Sequence, residues 1–223
     1  MTTDIDTIAI AIDGPAASGK STVAKQLAKK LGLIMVNTGA MYRSIAWATL
    51  HYGVDAHCAA DVIEMLKKVK LTCGVEDGVS TIIVDGISPG EELRKDPVNE
   101  IVSTVAQISE VREMLVEKQR EYLKLGSLVM EGRDIGSVVF PDTPYKFYID
   151  ASLEVRAARR GAEGIVDALA DRDKQDSERK ISPLKVASGA IKIDTSEMTV
   201  DEVLAEILTV LKQKGAPKEL LQS

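Results

Sequence analysis

The sequence predicts an α/β fold in which a parallel β-sheet is wrapped by helices. Short apolar segments that suit buried strands alternate with helical patterns along most of the chain, as in βαβ units. The strand pattern occurs at residues 7–13, 33–37, 128–131, 145–150 and 190–194, which predicts five parallel strands. Helical patterns cover residues 20–31, 40–52, 61–69, 98–124 with a break near Ser109, 153–160 and 200–214.

Two segments interrupt this alternation. Residues 70–75 and 80–84 flank the string Glu76-Asp-Gly-Val79, which is a turn signal for a β-hairpin. We therefore expect an antiparallel hairpin insertion from about residue 71 to residue 97. The second interruption, residues 161–183, is dense in charged side chains and is either a solvated loop or a mobile cover of an active site.

Composition restricts the classes of protein and partner. The chain has 223 residues, of which 45% are apolar, enough for one domain with or without an insertion. It has no 18-residue apolar stretch and no secretory signal pattern, so we expect a cytoplasmic protein without a membrane partner. A net charge of −6 argues against a nucleic acid polymer as partner. Cys58 and Cys73 lack metal-site spacing and are expected to be reduced thiols.

The motif with the clearest chemistry lies between the first strand and the first helix. Its letters, Gly-Pro-Ala-Ala-Ser-Gly-Lys-Ser, fit the phosphate-binding loop pattern G-x-x-x-x-G-K-[ST]. In such a loop backbone N–H groups converge on phosphate oxygens, Lys20 reaches the β- and γ-phosphates, and the Ser21 hydroxyl is a ligand for Mg²⁺. The alternative interpretation is an ordinary glycine turn. The predicted strand before the motif and the predicted helix after it favour the phosphate-binding loop instead. The residues predicted to bind the nucleotide here are Gly14, Pro15, Ala16, Ala17, Ser18, Gly19, Lys20, Ser21 and Thr22.

Phosphate loops occur in GTPases, mechanical ATPases and small-molecule kinases. The chain lacks the N-K-x-D and D-x-x-G strings of a GTPase, and Leu128-Val-Met-Glu131 only partly matches the acidic strand of a mechanical ATPase. A kinase for a phosphorylated acceptor needs several arginines around the transferred group. The sequence supplies candidates in four places: Arg43, Arg133, the group Arg156, Arg159 and Arg160, and the pair Arg172 and Arg179.

Several motifs taken together resemble the bacterial cytidylate kinases, over about residues 8–207. The strings that carry the resemblance are Asp13-Gly-Pro-Ala-Ala-Ser-Gly-Lys-Ser21, Thr38-Gly-Ala-Met-Tyr-Arg43, Glu131-Gly-Arg-Asp-Ile-Gly136, Val138-Val-Phe-Pro141, Arg156-Ala-Ala-Arg-Arg160, and Arg172-Asp through Asp176-Ser-Glu-Arg179 to Ser182-Pro183. The resemblance implies a P-loop nucleoside-monophosphate-kinase fold. It also implies transfer of the γ-phosphoryl group of ATP to CMP or dCMP with Mg²⁺, and we expect a monomer.

The resemblance also implies roles for single residues. The catalytic candidates are Lys20, Arg133, Arg160, Arg172 and Arg179, and Arg156 would contact the donor nucleotide. The substrate-binding candidates are Thr38, Arg43, Ser103, Arg112, Arg133, Asp134, Arg172, Asp176 and Arg179. Ser103, Arg112 and Asp134 would read the cytosine edge, which suits an arginine beside a carboxylate. Thr38 and Asp176 would lie near the ribose.

Structural alternatives exist for four of these residues. Asp134 could pair with Arg133 or cap a turn, Asp176 could be a solvated surface charge, Thr38 could cap a helix, and Ser103 could bond to its own helix.

The resemblance divides the chain into three regions. They are a core of residues 1–37, 98–155 and 184–223, an acceptor-binding region of residues 38–97 and a lid of residues 156–183. The family has a longer stretch between Arg160 and Arg172, so we expect a shortened lid and more ATP hydrolysis without acceptor. Two alternatives stay open: a kinase with another acceptor such as UMP, and a nucleotide-sensing protein that transfers no phosphate.

Overall fold

A seven-stranded sheet forms the centre of the structure. The computed structural model describes residues 7–162, 173, 175–179 and 181–221. Within these residues the strands are β1 (Ala9–Asp13), β2 (Ile34–Asn37), β3 (Leu71–Glu76), β4 (Val79–Val84), β5 (Leu128–Gly132), β6 (Lys146–Asp150) and β7 (Ile191–Asp194). Their spatial order is β3-β4-β2-β5-β1-β6-β7.

The five predicted parallel strands are confirmed, but the sheet that contains them has seven strands instead of five. β2, β5, β1, β6 and β7 run parallel to one another, and β3 and β4 form the predicted antiparallel hairpin. The hairpin extends the same sheet, because Met35 of β2 pairs in parallel with Val79 and its N–H donates to Gly78 O at 2.8 Å. This pairing covers part of an edge that β2 would otherwise expose. The result is a mixed sheet of seven strands.

The hairpin turn follows from its two central residues. Asp77 and Gly78 both have positive φ, of 50° and 75°. A two-residue turn with positive φ at both positions matches the twist of the strands that it joins, and Asp-Gly is a preferred pair for it.

Helices pack on both faces of the sheet. They are α1 (Lys20–Leu31), α2 (Thr38–His51), α3 (Ala59–Leu66), α4 (Asp96–Val105), α5 (Ser109–Glu121), α6 (Leu153–Ala162) and α7 (Val200–Gln213). The predicted break near Ser109 is confirmed, since α5 begins there. The carbonyl of Ala106, left open between α4 and α5, accepts a hydrogen bond from Nη1 of Arg112 at 3.1 Å.

Alternation along the strands separates two apolar cores. Ile10 and Ile12 of β1 face the core that includes α1 and α7, whereas Ala9 and Ala11 face the core that includes α2, α4 and α5. Successive side chains of a strand point to opposite faces, so a strand covered on both faces is apolar throughout. Every residue of β1 is buried, including its last, Asp13.

Two further predictions concern membrane-spanning helices and the lid. No helix in the described part of the chain is long and apolar enough to cross a membrane. Residues 163–172 of the predicted lid lie outside the described residues, and with them Arg172 and most of the stretch predicted to be shortened.

Candidate active site

A cleft of about 1570 Å³ opens where parallel strands end. β1, β2 and β5 finish side by side at Asp13, Asn37 and Gly132, and ligands of open α/β sheets bind at such carboxyl ends. The predicted site residues in its wall are Ala16, Ala17, Gly19, Lys20, Ser21, Thr22, Thr38, Arg43, Ser103, Arg112, Arg133, Asp134, Arg160, Asp176 and Arg179. Gly14, Pro15, Ser18 and Arg156 lie outside the wall.

The phosphate loop has a backbone that its glycines require. Gly14 has a φ of 156°, and a Cβ at that position would lie 2.0 Å from the carbonyl oxygen of Ile149 in β6. Gly19 precedes α1 with a φ of 89°. The helix then begins at Lys20, so its free N–H groups and positive end point toward the cleft. The buried Lys20 ammonium donates to Pro15 O at 2.8 Å and so lies over the loop.

Ser21 contacts a carboxylate that the sequence analysis did not include in the site. Its Oγ donates to Oε1 of Glu131 at 2.9 Å, and Glu131 is buried near the end of β5. A hydroxyl and a carboxylate are the hard oxygen ligands that Mg²⁺ accepts, and Mg²⁺ usually completes its shell with water and substrate phosphates. These two residues therefore fit a magnesium site. The sequence feature that could have identified Glu131 as a site residue is the string Leu128-Val-Met-Glu131, in which an apolar strand ends in an acidic residue.

Thr38 is held at the same strand end. Its hydroxyl donates to Glu131 O at 2.8 Å, and it is the first residue of α2. The alternative that Thr38 caps the helix is wrong, because Asn37 is the cap and its side chain accepts from Ala40 N–H at 3.0 Å. Gly132 permits this approach, since a Cβ there would lie 2.6 Å from the Thr38 hydroxyl.

At the α4–α5 end of the cleft, Arg112 and Asp134 form a buried ion pair. Nη2 of Arg112 lies 2.5 Å from Oδ2 of Asp134, with side-chain exposures of 2% and 4%. The Arg112 guanidinium also lies over the ring of Tyr42, 5.2 Å from its centroid. The alternative pairing of Asp134 with Arg133 is therefore wrong. Ser103 of α4 is half-buried and lines the cleft nearby.

Tyr42 lies in the wall of the cleft, with the Arg112 guanidinium over its ring. Burial raises the pKa of Tyr42 to about 12, and the charge of Asp134 adds to the rise while Arg112 and Arg179 oppose it. The phenol is therefore neutral at physiological pH.

A second carboxylate joins two of the predicted phosphate-binding arginines. Asp176 is 2% exposed and accepts from Nε of Arg133 at 2.7 Å and from Nη2 of Arg179. It is thus not a solvated surface charge. Burial would lower the pKa of Arg133, but Asp176 raises it overall. Burial lowers the pKa of Arg179, and Arg112 and Arg133 add to that effect while Asp176 opposes it.

Arg43 approaches the cleft from α2. Its Nε donates to Asn99 Oδ1 at 3.3 Å and its Nη1 to Gly39 O at 3.2 Å. These contacts orient the guanidinium beside α4, on the same side of the cleft as Ser103.

The arginines of α6 divide into two roles. Arg156 donates to Ala151 O at 3.1 Å and Ala16 O at 3.4 Å and pairs with Asp173. Arg159 donates to Ser18 O at 3.1 Å and to Thr195 O at 2.8 Å. Both therefore hold carbonyls of the phosphate loop from outside the cleft, whereas Arg160 lines the cleft itself. Thr195 belongs to none of the motifs recognised in the sequence.

Asp13, the last residue of β1, is a further buried carboxylate. Burial raises its pKa to about 7. Hydrogen bonds from the N–H groups of Gly136 and Ile135 and the nearby Lys20 lower the pKa, and the charge of Asp134 raises it.

A family model and several similar proteins all indicate the same family for this chain. Residues 10–213 match the family model described as Cytidylate kinase. The cytidylate kinase of Caldanaerobacter subterraneus subsp. tengcongensis is 42% identical over 218 residues, which cover 93% of this chain and 96% of that protein. The cytidylate kinase of Bacillus velezensis is 42% identical over 220 residues, 93% of this chain and 98% of that protein. The one from Bacillus cereus is 41% identical over 215 residues, 92% and 96% of the two chains.

Proposed function

The chain belongs to the cytidylate kinase family, and from that premise we propose how its residues transfer the γ-phosphoryl group of ATP to CMP or dCMP. It is a (d)CMP kinase, and its products are CDP or dCDP together with ADP. One observation carries the proposal for the site. A buried Arg112–Asp134 pair suited to cytosine lines the same cleft as the phosphate loop, so donor and acceptor sites face each other.

The donor site consists of the phosphate loop and the start of α1. The backbone N–H groups of Gly14 and of residues 16–22, with the Lys20 ammonium, bind the phosphates of ATP. Ser21 and Glu131 would hold Mg²⁺. When bound, the metal neutralises charge on the phosphate oxygens. Arg156 and Arg159 act indirectly, because their contacts fix the loop carbonyls.

The acceptor phosphate lies among arginines from three parts of the chain. Arg43 and Arg133 approach from α2 and the end of β5, and Arg179 from the segment before β7. Arginine forks suit phosphate because they donate two parallel hydrogen bonds. Asp176 supports this arrangement by holding Arg133 and Arg179 together. Arg172 and Arg160 complete the proposed set around the transferred group.

The base is selected by complementary donors and acceptors. Cytosine offers an amino group beside N3 and O2 acceptors. Asp134 accepts from the amino group, and Arg112 donates to the acceptor atoms, with Ser103 beside them. Uracil would place a carbonyl oxygen where Asp134 needs a donor, so UMP is disfavoured. Thr38 and Asp176 bind the ribose in this proposal.

The reaction itself requires position and charge rather than a proton-abstracting group. The attacking oxygen of CMP belongs to an ionised phosphate, so no residue has to act as a strong base. Lys20, Arg133 and Arg179 supply the positive charge on which the transferring group depends. We further propose that the enzyme is a monomer with residues 1–37, 98–155 and 184–223 as core, 38–97 as acceptor region and 156–183 as lid.

One assay tests this function against its rivals. The protein is incubated with ATP and Mg²⁺ and with CMP, dCMP, UMP, AMP, GMP or no acceptor, and both ADP and nucleoside diphosphate are quantified. We expect CDP and dCDP to form fastest. Failure to form any nucleoside diphosphate would contradict the kinase assignment. Preference for UMP would contradict the roles of Arg112 and Asp134.

A further inference from the structure

Asp13 joins the donor side of the cleft to its acceptor side. It is the last residue of β1, and the phosphate loop begins at the next residue, Gly14. Its side chain contacts the segment that follows β5. Oδ1 accepts from Ile135 N–H at 2.7 Å, and Oδ2 accepts from Gly136 N–H at 2.8 Å. Asp13 itself is 2% exposed and does not line the cleft.

The two N–H groups belong to the start of a short turn, Ile135–Val139, of the π-helical type. The first N–H groups of any helical turn have no partner within it, so a carboxylate can satisfy two of them at once. Directly before this turn stand Arg133 and Asp134, the residues proposed for the acceptor phosphate and the base. A shift of the turn would therefore move both side chains.

Other contacts hold the same turn from the opposite side. Arg120 of α5 donates to Val139 O at 3.0 Å and Val138 O at 2.8 Å. Arg112 of the same helix binds the Asp134 carboxylate. The turn is thus fixed between α5 and β1, and Asp13 makes the side-chain contacts on the β1 side.

We propose that Asp13 is a positioning residue that fixes Arg133 and Asp134 relative to the phosphate loop. The inference rests on the proposed function, because it assigns the acceptor to one segment and the donor to the other. In-line transfer requires both phosphates in register, and a displacement of about 1 Å can lower a rate about a hundredfold.

A carboxyl group is needed because the turn presents two donors, and both carboxyl oxygens can accept a hydrogen bond whether the group is ionised or protonated. The side chain of Asn has one accepting oxygen, and its amide group would face a backbone N–H with another donor. The buried carboxylate is itself costly, as its raised pKa indicates. Asp13 is costly to bury and does not line the cleft. Its two hydrogen bonds to the turn, which no other side chain at this position makes, account for its presence there.

The test compares Asp13→Asn with Thr143→Val. Thr143 donates to Ala9 O at 2.6 Å and thus bonds the opposite end of the same strand, away from the proposed site. For both variants one measures thermal unfolding, the affinity for ATP without acceptor, the affinity for CMP, and kcat. We expect Asp13→Asn to lower kcat about a hundredfold and weaken CMP binding about tenfold, with ATP affinity changed less than about twofold. Thr143→Val should lose stability and keep wild-type kinetics.

Two results would overturn the proposal. In one, Asp13→Asn folds and keeps kcat within about twofold of wild type. In the other, ATP and CMP affinities fall together, as expected of a merely structural contact to the phosphate loop. If Asp13→Asn does not fold, Asp13→Glu is judged by the same criteria, because it keeps both accepting oxygens and displaces the turn by one methylene. Wild-type turnover of CMP in the same series tests the proposed function separately.

Discussion

The carboxylate of Asp134 binds the guanidinium of Arg112 in an almost fully buried ion pair. The pair is fixed from several sides, because Arg112 also donates to Ala106 O and lies over the Tyr42 ring. Removing one member of a buried pair leaves the other charge without compensation, at a cost of about 3–5 kcal/mol. The groups proposed to read the base are therefore held in place before any ligand arrives.

Replacing Asp134 with Asn should reduce the discrimination between cytosine and uracil. The amide can present an N–H to the uracil carbonyl, and it accepts less well from the cytosine amino group. A good base contact discriminates by about 1–3 kcal/mol, so the ratio of kcat/KM for CMP to that for UMP should fall about tenfold to a hundredfold. Asp142→Asn changes an exposed carboxylate in the following loop and should leave the ratio unchanged. An unchanged ratio in a folded Asp134→Asn protein would contradict the assignment.

Arg133→Ala should abolish most turnover without loss of ATP affinity. Nε of Arg133 binds Asp176, and the rest of its guanidinium lines the cleft. A donor aimed at the developing charge is worth about a hundredfold to a thousandfold in kcat. Arg133→Lys keeps the charge but loses the fork, so it should recover only part of the rate. Steady-state kinetics with direct ATP binding would check this, and a parallel loss of ATP affinity would place Arg133 on the donor phosphates instead.

Local patterns in the sequence were sufficient for much of the fold and for about half of the cleft. Strand periodicity placed the five parallel strands, and the Asp-Gly turn placed the hairpin. The phosphate loop and the arginine-bearing motifs supplied about half of the residues that line the cleft. These features depend on short stretches of chain, so a single sequence contains them.

The features that the sequence did not reveal depend on contacts between distant residues. The addition of the hairpin to the sheet depends on the bridge between Met35 and Val79. The Ser21–Glu131 contact joins residues 110 positions apart, and Asp13 meets Gly136 across 123 positions. A single sequence records which residue types are present but not which of them meet. The capping alternative for Thr38 failed for a local reason, because two adjacent residues of types that cap helices, Asn37 and Thr38, both fit the pattern.

The contact between Ser21 and Glu131 predicts a shared dependence on Mg²⁺. Ser21→Ala and Glu131→Gln should each raise the Mg²⁺ concentration that gives half-maximal rate, by about tenfold. Ser21→Ala removes an oxygen ligand, and Glu131→Gln replaces a charged carboxylate oxygen with a neutral amide oxygen. Their effects should be less than additive in the double variant, since both act on one ion. Glu206→Gln, an exposed carboxylate of α7, serves as the control. Fully additive effects, or effects that excess Mg²⁺ does not relieve, would argue against a common metal.

Gly14 and Gly32 offer a matched test of the phosphate loop. A methyl group at Gly14 would collide with Ile149 O, whereas one at Gly32, which has a φ of 63°, meets nothing within 4 Å. Gly32→Ala should therefore cost only about 1–2 kcal/mol of backbone strain and leave ATP binding intact. Gly14→Ala should displace the loop from β6 and weaken ATP binding about tenfold or more, since the loop N–H groups must converge on the phosphates. Calorimetric ATP titrations of both variants would distinguish these outcomes, and equal affinities would contradict the close-approach argument.

Stability should depend on pH through Asp13 in a direction opposite to that of a salt-bridged carboxylate. Burial raises its pKa from 3.8 to about 7 in the folded protein, despite two N–H donors and the charge of Lys20. Between these two pH values the unfolded chain has released the proton and the folded chain still holds it. The stability that this group contributes is therefore complete below about pH 4 and is lost progressively as pH rises to about 7.

Asp13→Asn cannot titrate, so its stability relative to wild type should improve by on the order of 2 kcal/mol between pH 5 and pH 7. Urea unfolding of both proteins across this range would measure the difference, with Thr143→Val expected to parallel wild type. Parallel curves for Asp13→Asn and wild type would show that the carboxyl titrates at its ordinary pKa, and that its burial does not resist ionisation.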